Sequence, residues 1–209
     1  MALGMLHEQG PTAGVSHIRL SEVVERAGLT TGAAYRLWED QRAFHAELAI
    51  AAVRWRDRSS TSNTLQQISP VMLSGGPWQE VIRRGAAANL QSFPDDIAFL
   101  TTLALRASAY GQDALVAASH ERHIEAMAAY GDMYSQVLAV YRRRLRPPFT
   151  IDHLCSAFAA LAEGFGVQAA SGEAHPQIMI PSGDPQIGEE WTLLAVTIAA
   201  LIEQLTEPF

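Results

Sequence analysis

The residues best equipped for chemistry in this 209-residue chain crowd between Thr30 and Arg42, in the run TTGAAYRLWEDQR. Read as a helix, Thr31, Gly32, Tyr35 and Arg36 fall on one face at i, i+1, i+4 and i+5, and Ala34, Leu37 and Trp38 fall on the other. The first face offers a hydroxyl, a backbone bare of side chains, a phenol and a guanidinium. Hydroxyls and phenols suit phosphate oxygens, a bare backbone approaches a sugar-phosphate closely, and a guanidinium grips either a phosphate or a guanine edge. This is equipment for holding a polyanion. The competing reading is a small helical bundle with an exposed tyrosine.

Elsewhere the reactive residue types lack the arrangement that chemistry needs. His120 and His123, in HERH, stand at i, i+3, which is not the HExxH zinc spacing, and no further ligands are arranged around them. Glu189 and Glu190 read as the first turn of a helix, where the dipole favours carboxylates. Cys155 sits in an apolar helical run and reads as a packed thiol. No local nucleophile motif and no glycine-rich phosphate loop is present, so neither an enzyme, a metal nor a cofactor is expected. A looser set, Arg106, His123, Met127, Tyr130, Tyr134 and Phe158, mixes aromatic and polar groups along the second half. It either lines a cavity between helices or is plain core.

The elements that must position the Thr30–Arg42 cluster are short helices. Leu20, Val23, Val24 and Ala27 mark one face of a helix that stops at Gly28, the residue that most easily takes the left-handed conformation. Leu29 is expected to plug the turn and Thr30 to cap a second helix running to about Trp38. Two short helices joined by a tight glycine turn make a helix-turn-helix, whose second helix enters a DNA major groove. Residues 2–9 form a first helix, ended by Gly10-Pro11. Arg19 leaves the second helix either capped by Ser21 or uncapped. Asp40 caps a fourth helix, about Gln41–Arg58, and Trp38 and Phe44 are expected to pack beneath the recognition segment.

The rest is also helical in pattern. Residues 59–76, rich in Ser and Thr, read as a connector with at most one helical turn around 65–68, and a domain boundary is placed there. Helices follow over 78–92, from Asp95 or Asp96 to Tyr110, over 113–145 ending in Arg142-Arg143-Arg144, over 151–171 and over 189–207. The last two are separated by a proline-containing loop. No alternating strand pattern of useful length and no internal repeat is visible. The fold class expected is all-α, with a helix-turn-helix domain over 1–58 and a helical bundle over 59–209.

Read through to the fourth helix, AGLTTGAAYRLWEDQRAFHAEL resembles the DNA-binding signature of TetR-type transcriptional regulators. The matching places are Ala27, Gly28, Thr30, Gly32, Tyr35, Trp38 and Asp40, within a resemblance covering about residues 3–58. It implies a repressor that binds double-stranded DNA through Thr30, Thr31, Gly32, Ala33, Tyr35, Arg36, Gln41 and Arg42. It further implies a homodimer built from the last two helices, about 151–171 and 189–207, acting on a pseudo-palindromic operator. The looser set from Arg106 to Phe158 would then surround a small-molecule effector. Two places depart from the pattern. The family usually carries a Lys at the start of the fourth helix, where this chain has Gln41 with Arg42 beside it. The family's first helix also usually begins several residues earlier, so either this chain lacks the natural beginning or its contacts have been given up.

Composition sets the remaining bounds. Net charge is −7, and all fifteen basic residues are arginine. Residues 1–58 hold seven Arg against seven Asp and Glu, so the whole acidic excess lies in 59–209. A neutral head is expected to steer DNA weakly and to depend on local contacts. No apolar run reaches the length of a membrane span, no signal peptide is recognised at MALGMLHEQGP, and the single cysteine excludes an intrachain disulfide, which together suggest a cytoplasmic protein. The alternative function is a helical ligand- or partner-binding protein whose helix-turn-helix has weak or lost DNA binding.

Overall fold

A computed structural model of the chain describes residues 1–12, 14–55, 59–181 and 188–209, the side chains of 59–63 and 188 excepted. In chain order the helices are α1 (Ala2–Gln9), α2 (Leu20–Arg26), α3 (Thr31–Ala34), α4 (Gln41–Arg54), α5 (Ser59–Leu73), α6 (Trp78–Ser92), α7 (Ile97–Ala107), α8 (Asp113–Val140), α9 (Ile151–Ala170) and α10 (Leu193–Leu205). A 3-10 turn, Phe93–Asp95, precedes α7. The only strands among the described residues are short: β1 (Arg143–Leu145) pairs antiparallel with β4 (Thr206–Pro208), and β2 (Ile178–Pro181) with β3 (Gly188–Trp191). The all-α expectation holds.

The chain packs as two units. One comprises Met1–Asp57 and Asp96–Ile124, the other Arg58–Asp95 and Glu125–Phe209. The first seam falls beside the boundary expected at 58/59, and the chain then returns to the first unit for α7 and the start of α8. In that unit Met5, Leu6, Ile18, Leu20, Val24, Phe44, Leu48 and Val53 form one buried cluster with Leu105 and Leu115. The α4 stripe runs through Phe44, Leu48, Ala49, Ala52 and Val53, while Ala43 is exposed. Asp96 caps α7 by accepting from the Phe99 N–H at 2.9 Å. Helix α4 ends at Arg54, and the expected continuation to Arg58 falls on residues 56–58, outside the described residues.

In the second unit, Leu154, Phe158, Ile202 and Leu205 bury together with Trp78, Tyr134 and Ile198. A smaller cluster joins Ile68 and Val71 of α5 to Val81 of α6. That cluster overturns the connector expected over 59–76. Ser, Thr and Asn are neutral-to-poor helix formers and Pro70 interrupts the ladder, yet α5 forms because Ile68 and Val71 have an apolar partner in α6. Gly85 lets the two helices meet closely: a Cβ there would stand 3.2 Å from Ile68 Cγ2.

Two further helix ends differ from expectation. The 142–144 arginine run does not finish α8. Arg142 takes a left-handed φ of 49°, and Arg143 and Arg144 pair in register with Pro208 and Glu207. Arg143 Nε donates to Thr206 Oγ1 at 2.7 Å while its guanidinium lies 5.0 Å over the Trp78 ring, and Arg144 bonds Glu207. Specific partners outweigh a favourable dipole. Glu189 and Glu190 likewise stand in β3, and α10 begins at Leu193 behind a Thr192 cap that accepts from the Ala195 N–H.

On α6, Glu80 accepts from Arg83 through both oxygens at 2.6 Å and also binds Arg84. The Arg83 hydrogen bonds hold its carboxyl below the usual range. A depressed folded value gives stability that is present above the unfolded value and lost as pH falls through the folded one. Glu80→Gln is therefore expected to cost about 0.5–1 kcal/mol at pH 7, as partly exposed pairs do. The cost should vanish in acid below the folded value, as read by urea melts of both proteins across pH.

Candidate functional site

The turn between α2 and α3 is built by a helix-ending motif. Gly28 takes φ 66°, its N–H donates to the Glu25 carbonyl at 3.1 Å, and the Leu29 N–H reaches back to the Val24 carbonyl at 3.0 Å. This pair of bonds is the Schellman arrangement, which needs a left-handed residue that only glycine adopts without strain. Thr30 then caps α3, its Oγ1 accepting from the Ala33 N–H at 3.3 Å. The α-helix itself covers only Thr31–Ala34, half the expected length. Backbone bonds from Leu37 and Trp38 to the Ala34 carbonyl carry the turn onward.

Ala34 and Trp38 anchor this segment as expected. Ala34 is buried, and Trp38 meets Phe44 edge-to-face at 5.2 Å and donates from Nε1 to Glu47 Oε2 at 2.7 Å. Thr30, Thr31, Gly32, Tyr35 and Arg36 are exposed, and Ala33 is half-buried. Leu37 and Leu29 are the corrections. Leu37 was expected on the inner face and Leu29 in the turn, but they are 72% and 59% exposed, alongside Tyr35 at 56%. With so short a helix the face that holds Ala34 and Trp38 does not extend to Leu37. The outer surface thus carries apolar side chains as well as a phenol, hydroxyls and a guanidinium.

Gln41 sits differently from its expected role. It is half-buried, its Oε1 accepts from the Leu20 N–H at 2.9 Å, and its Nε2 donates to the Ile18 carbonyl at 2.9 Å. The Leu20 N–H can meet only an acceptor, which settles which end of the amide is which. His45 Nε2 stands 2.6 Å from the Gln41 amide nitrogen and 2.9 Å from the same Ile18 carbonyl, so the three groups form one polar cluster. Gln41 is therefore the cap of α2 that neither Arg19 nor Ser21 supplies. Ile18 and Leu20, on either side of Arg19, thus meet the first residue of α4. Arg19 was read only as a missing cap. In the structure Arg19, Arg36 and Arg42 are exposed and none is paired with a carboxylate among the described residues. Arg26, by contrast, is neutralised by Glu8 at 2.7 Å.

The second unit holds a cavity of 120 Å³ between α5, α6, α8, α9 and α10. Of the looser aromatic and polar set, Tyr130, Tyr134 and Phe158 line it. Tyr130 and Tyr134 stack at 6.0 Å, and Phe158 meets Tyr134 edge-on at 5.2 Å. Met127 does not line it, and Arg106 and His123 belong to the first unit. Two polar lining residues were missed, Thr64 and Asn89, joined by a 2.8 Å bond from Thr64 Oγ1 to Asn89 Oδ1. Thr64 lay in the stretch read as a connector, so nothing in the sequence placed it on a helix facing Asn89. Burial first, then the neighbouring Tyr130, pushes the Tyr134 phenol well above its ordinary value, so it stays a neutral hydroxyl. Cys155 is a buried thiol, pushed up by burial, in keeping with the packed role expected of it.

No family model and no curated protein matches the sequence. Among solved structures, the chain is similar to a Rhodococcus sp. protein provisionally described as a TetR-family transcriptional regulator. The match covers 98% of this chain and 94% of that one, with a TM-score of 0.53 and 16% identity. The chain has the TetR-family fold. At that identity the likeness speaks for the fold, and within the TetR fold the α2–α3 turn and its α4 support are the elements whose residues the sequence resemblance had matched.

Proposed function

We propose that the chain is a DNA-binding transcriptional regulator, a ligand-responsive repressor acting as a homodimer on a pseudo-palindromic operator. One observation carries the reading: Thr30, Thr31, Gly32, Tyr35 and Arg36 stand together and exposed on a segment held rigidly from beneath by Trp38 and Phe44. Arg19 and Arg42 are exposed and unpaired with a carboxylate among the described residues, and are available to phosphates. Tyr35 and the threonines suit phosphates, Arg36 a phosphate or guanine edge, and Leu29 and Leu37 the methyl groups of thymine. No net positive charge backs these contacts, so a single head binds modestly and a pair is needed, reaching grooves about 34 Å apart.

The homodimer reading is supported by α9, where Ser156, Ala160, Gly164 and Val167 form an exposed stripe of small and apolar residues, and by exposed Leu193 at the start of α10. The effector reading is supported by the second-unit cavity. No helix among the described residues is long and apolar enough to cross a membrane.

Duplexes selected from a random library at low salt provide the test. Arg36→Ala should weaken binding of the selected operator by about 10–100-fold, the worth of one good base or phosphate contact. Arg19→Ala and Arg42→Ala should each reduce the salt slope by about one. If no duplex is enriched and Tyr35→Ala behaves like the parent, the chain is instead a ligand- or partner-binding protein with a silent helix-turn-helix.

A further inference from the structure

The second-unit cavity is selective in what it can hold. Every described residue lining it is uncharged, and most are apolar, including Ile68, Val81, Leu154 and Ile202. A charged molecule entering would lose its water with no counter-charge to replace it, so the lining rejects ions of either sign. Size is the second filter. An apolar cavity of about 150 Å³ takes up benzene, and 120 Å³ leaves room for one six-membered ring and little more. Tyr130 lines the cavity while 37% exposed, so the lining reaches the surface of the second unit.

Polarity is the third filter. Asn89 uses its Oδ1 to accept from Thr64, which leaves the Nδ2 protons without a partner among the described residues. The Tyr134 hydroxyl adds one neutral donor and acceptor on another wall. A single hydroxyl or carbonyl on the ligand can accept from Asn89 Nδ2 and pair with the Tyr134 hydroxyl, whereas a purely apolar ligand satisfies neither.

We propose that this cavity binds an uncharged, ring-sized, mainly apolar molecule carrying one hydroxyl or carbonyl group, oriented by Asn89 and Tyr134. The proposal rests on reading the second unit as the effector-binding part, and it is tested without DNA so that its failure is separate from failure of the operator experiment. Calorimetry on the full chain would compare phenol, benzene and benzoate as probes. Phenol should bind at least tenfold more tightly than benzoate and severalfold more tightly than benzene. Ala86→Leu, which fills the lined volume, should abolish phenol binding. Asn89→Leu should bring phenol down to the level of benzene, and Tyr134→Phe, which keeps the ring stack, provides the same reading if Asn89→Leu does not fold. Benzoate binding as tightly as phenol, phenol binding unaffected by Ala86→Leu, or no phenol binding to the parent chain overturns the assignment.

Discussion

Phe44→Ala is expected to lower the unfolding free energy by about 3–5 kcal/mol, the range for removing a buried phenylalanine ring. Phe44 is nearly fully buried among Leu20, Val24, Leu48 and Val53, so little of the lost volume can be refilled by solvent or by a mobile side chain. The loss is not confined to stability. The ring is also the surface against which Trp38 rests edge-on, and Trp38 ends the segment that displays Tyr35 and Arg36. With that support gone, the Trp38–Glu47 hydrogen bond that also ties the end of the segment to α4 is exposed to water and holds it weakly. Equilibrium melts should show the drop. Where folded protein survives, operator affinity should fall although Phe44 touches no DNA. Phe44→Leu, which keeps most of the volume, should recover most of both. A parent-like melting curve for Phe44→Ala would overturn the account of how the recognition segment is held.

Gln41→Lys should damage the protein, although it restores the residue type the resembling family carries at that place. Lysine cannot accept from the Leu20 N–H, and its ammonium would have to share space with His45 Nε2, 2.6 Å from the present amide nitrogen. The first N–H of α2 loses its only side-chain partner, and a half-buried donor left unsatisfied costs about 1–3 kcal/mol. Denaturant melts should therefore show a loss of that order. Gln41→Glu should lose less, since a carboxylate still accepts from Leu20 while giving up the amide's contacts with the Ile18 carbonyl and His45. DNA affinity of Gln41→Lys should fail to rise, because the clasp that ties the start of α2 to α4 is broken. A variant as stable as the parent that also binds operator more tightly would show that Gln41 is a phosphate contact and not a cap.

Local signals were readable in the chain because they depend on a few adjacent residues. The Gly28 turn, the Thr30 and Asp40 caps and the α6 and α9 spans follow from backbone preferences and short-range periodicity. So did the placement of Trp38 over Phe44, since both fall on apolar faces close together in the chain. The exposed Thr30–Arg36 set could be named before any coordinates for the same reason.

Tertiary structure alone decided what each polar group is bound to. Gln41 reads as a surface residue until Ile18 and Leu20, more than twenty positions away, present an unpaired carbonyl and N–H. Arg143 and Arg144 read as a helix end until Thr206 and Glu207 arrive from the far terminus and Trp78 from α6. Residues 59–73 read as a linker until Val81 covers Ile68 and Val71, and only then do Thr64 and Asn89 meet at the cavity. Periodicity and caps are properties of neighbours along the chain, whereas a hydrogen bond or a buried face needs a partner whose position depends on the whole fold. That is why the amino-acid sequence by itself determined a helix-turn-helix and an all-α protein, while the cap of α2 and the uncharged cavity came only with the packed chain.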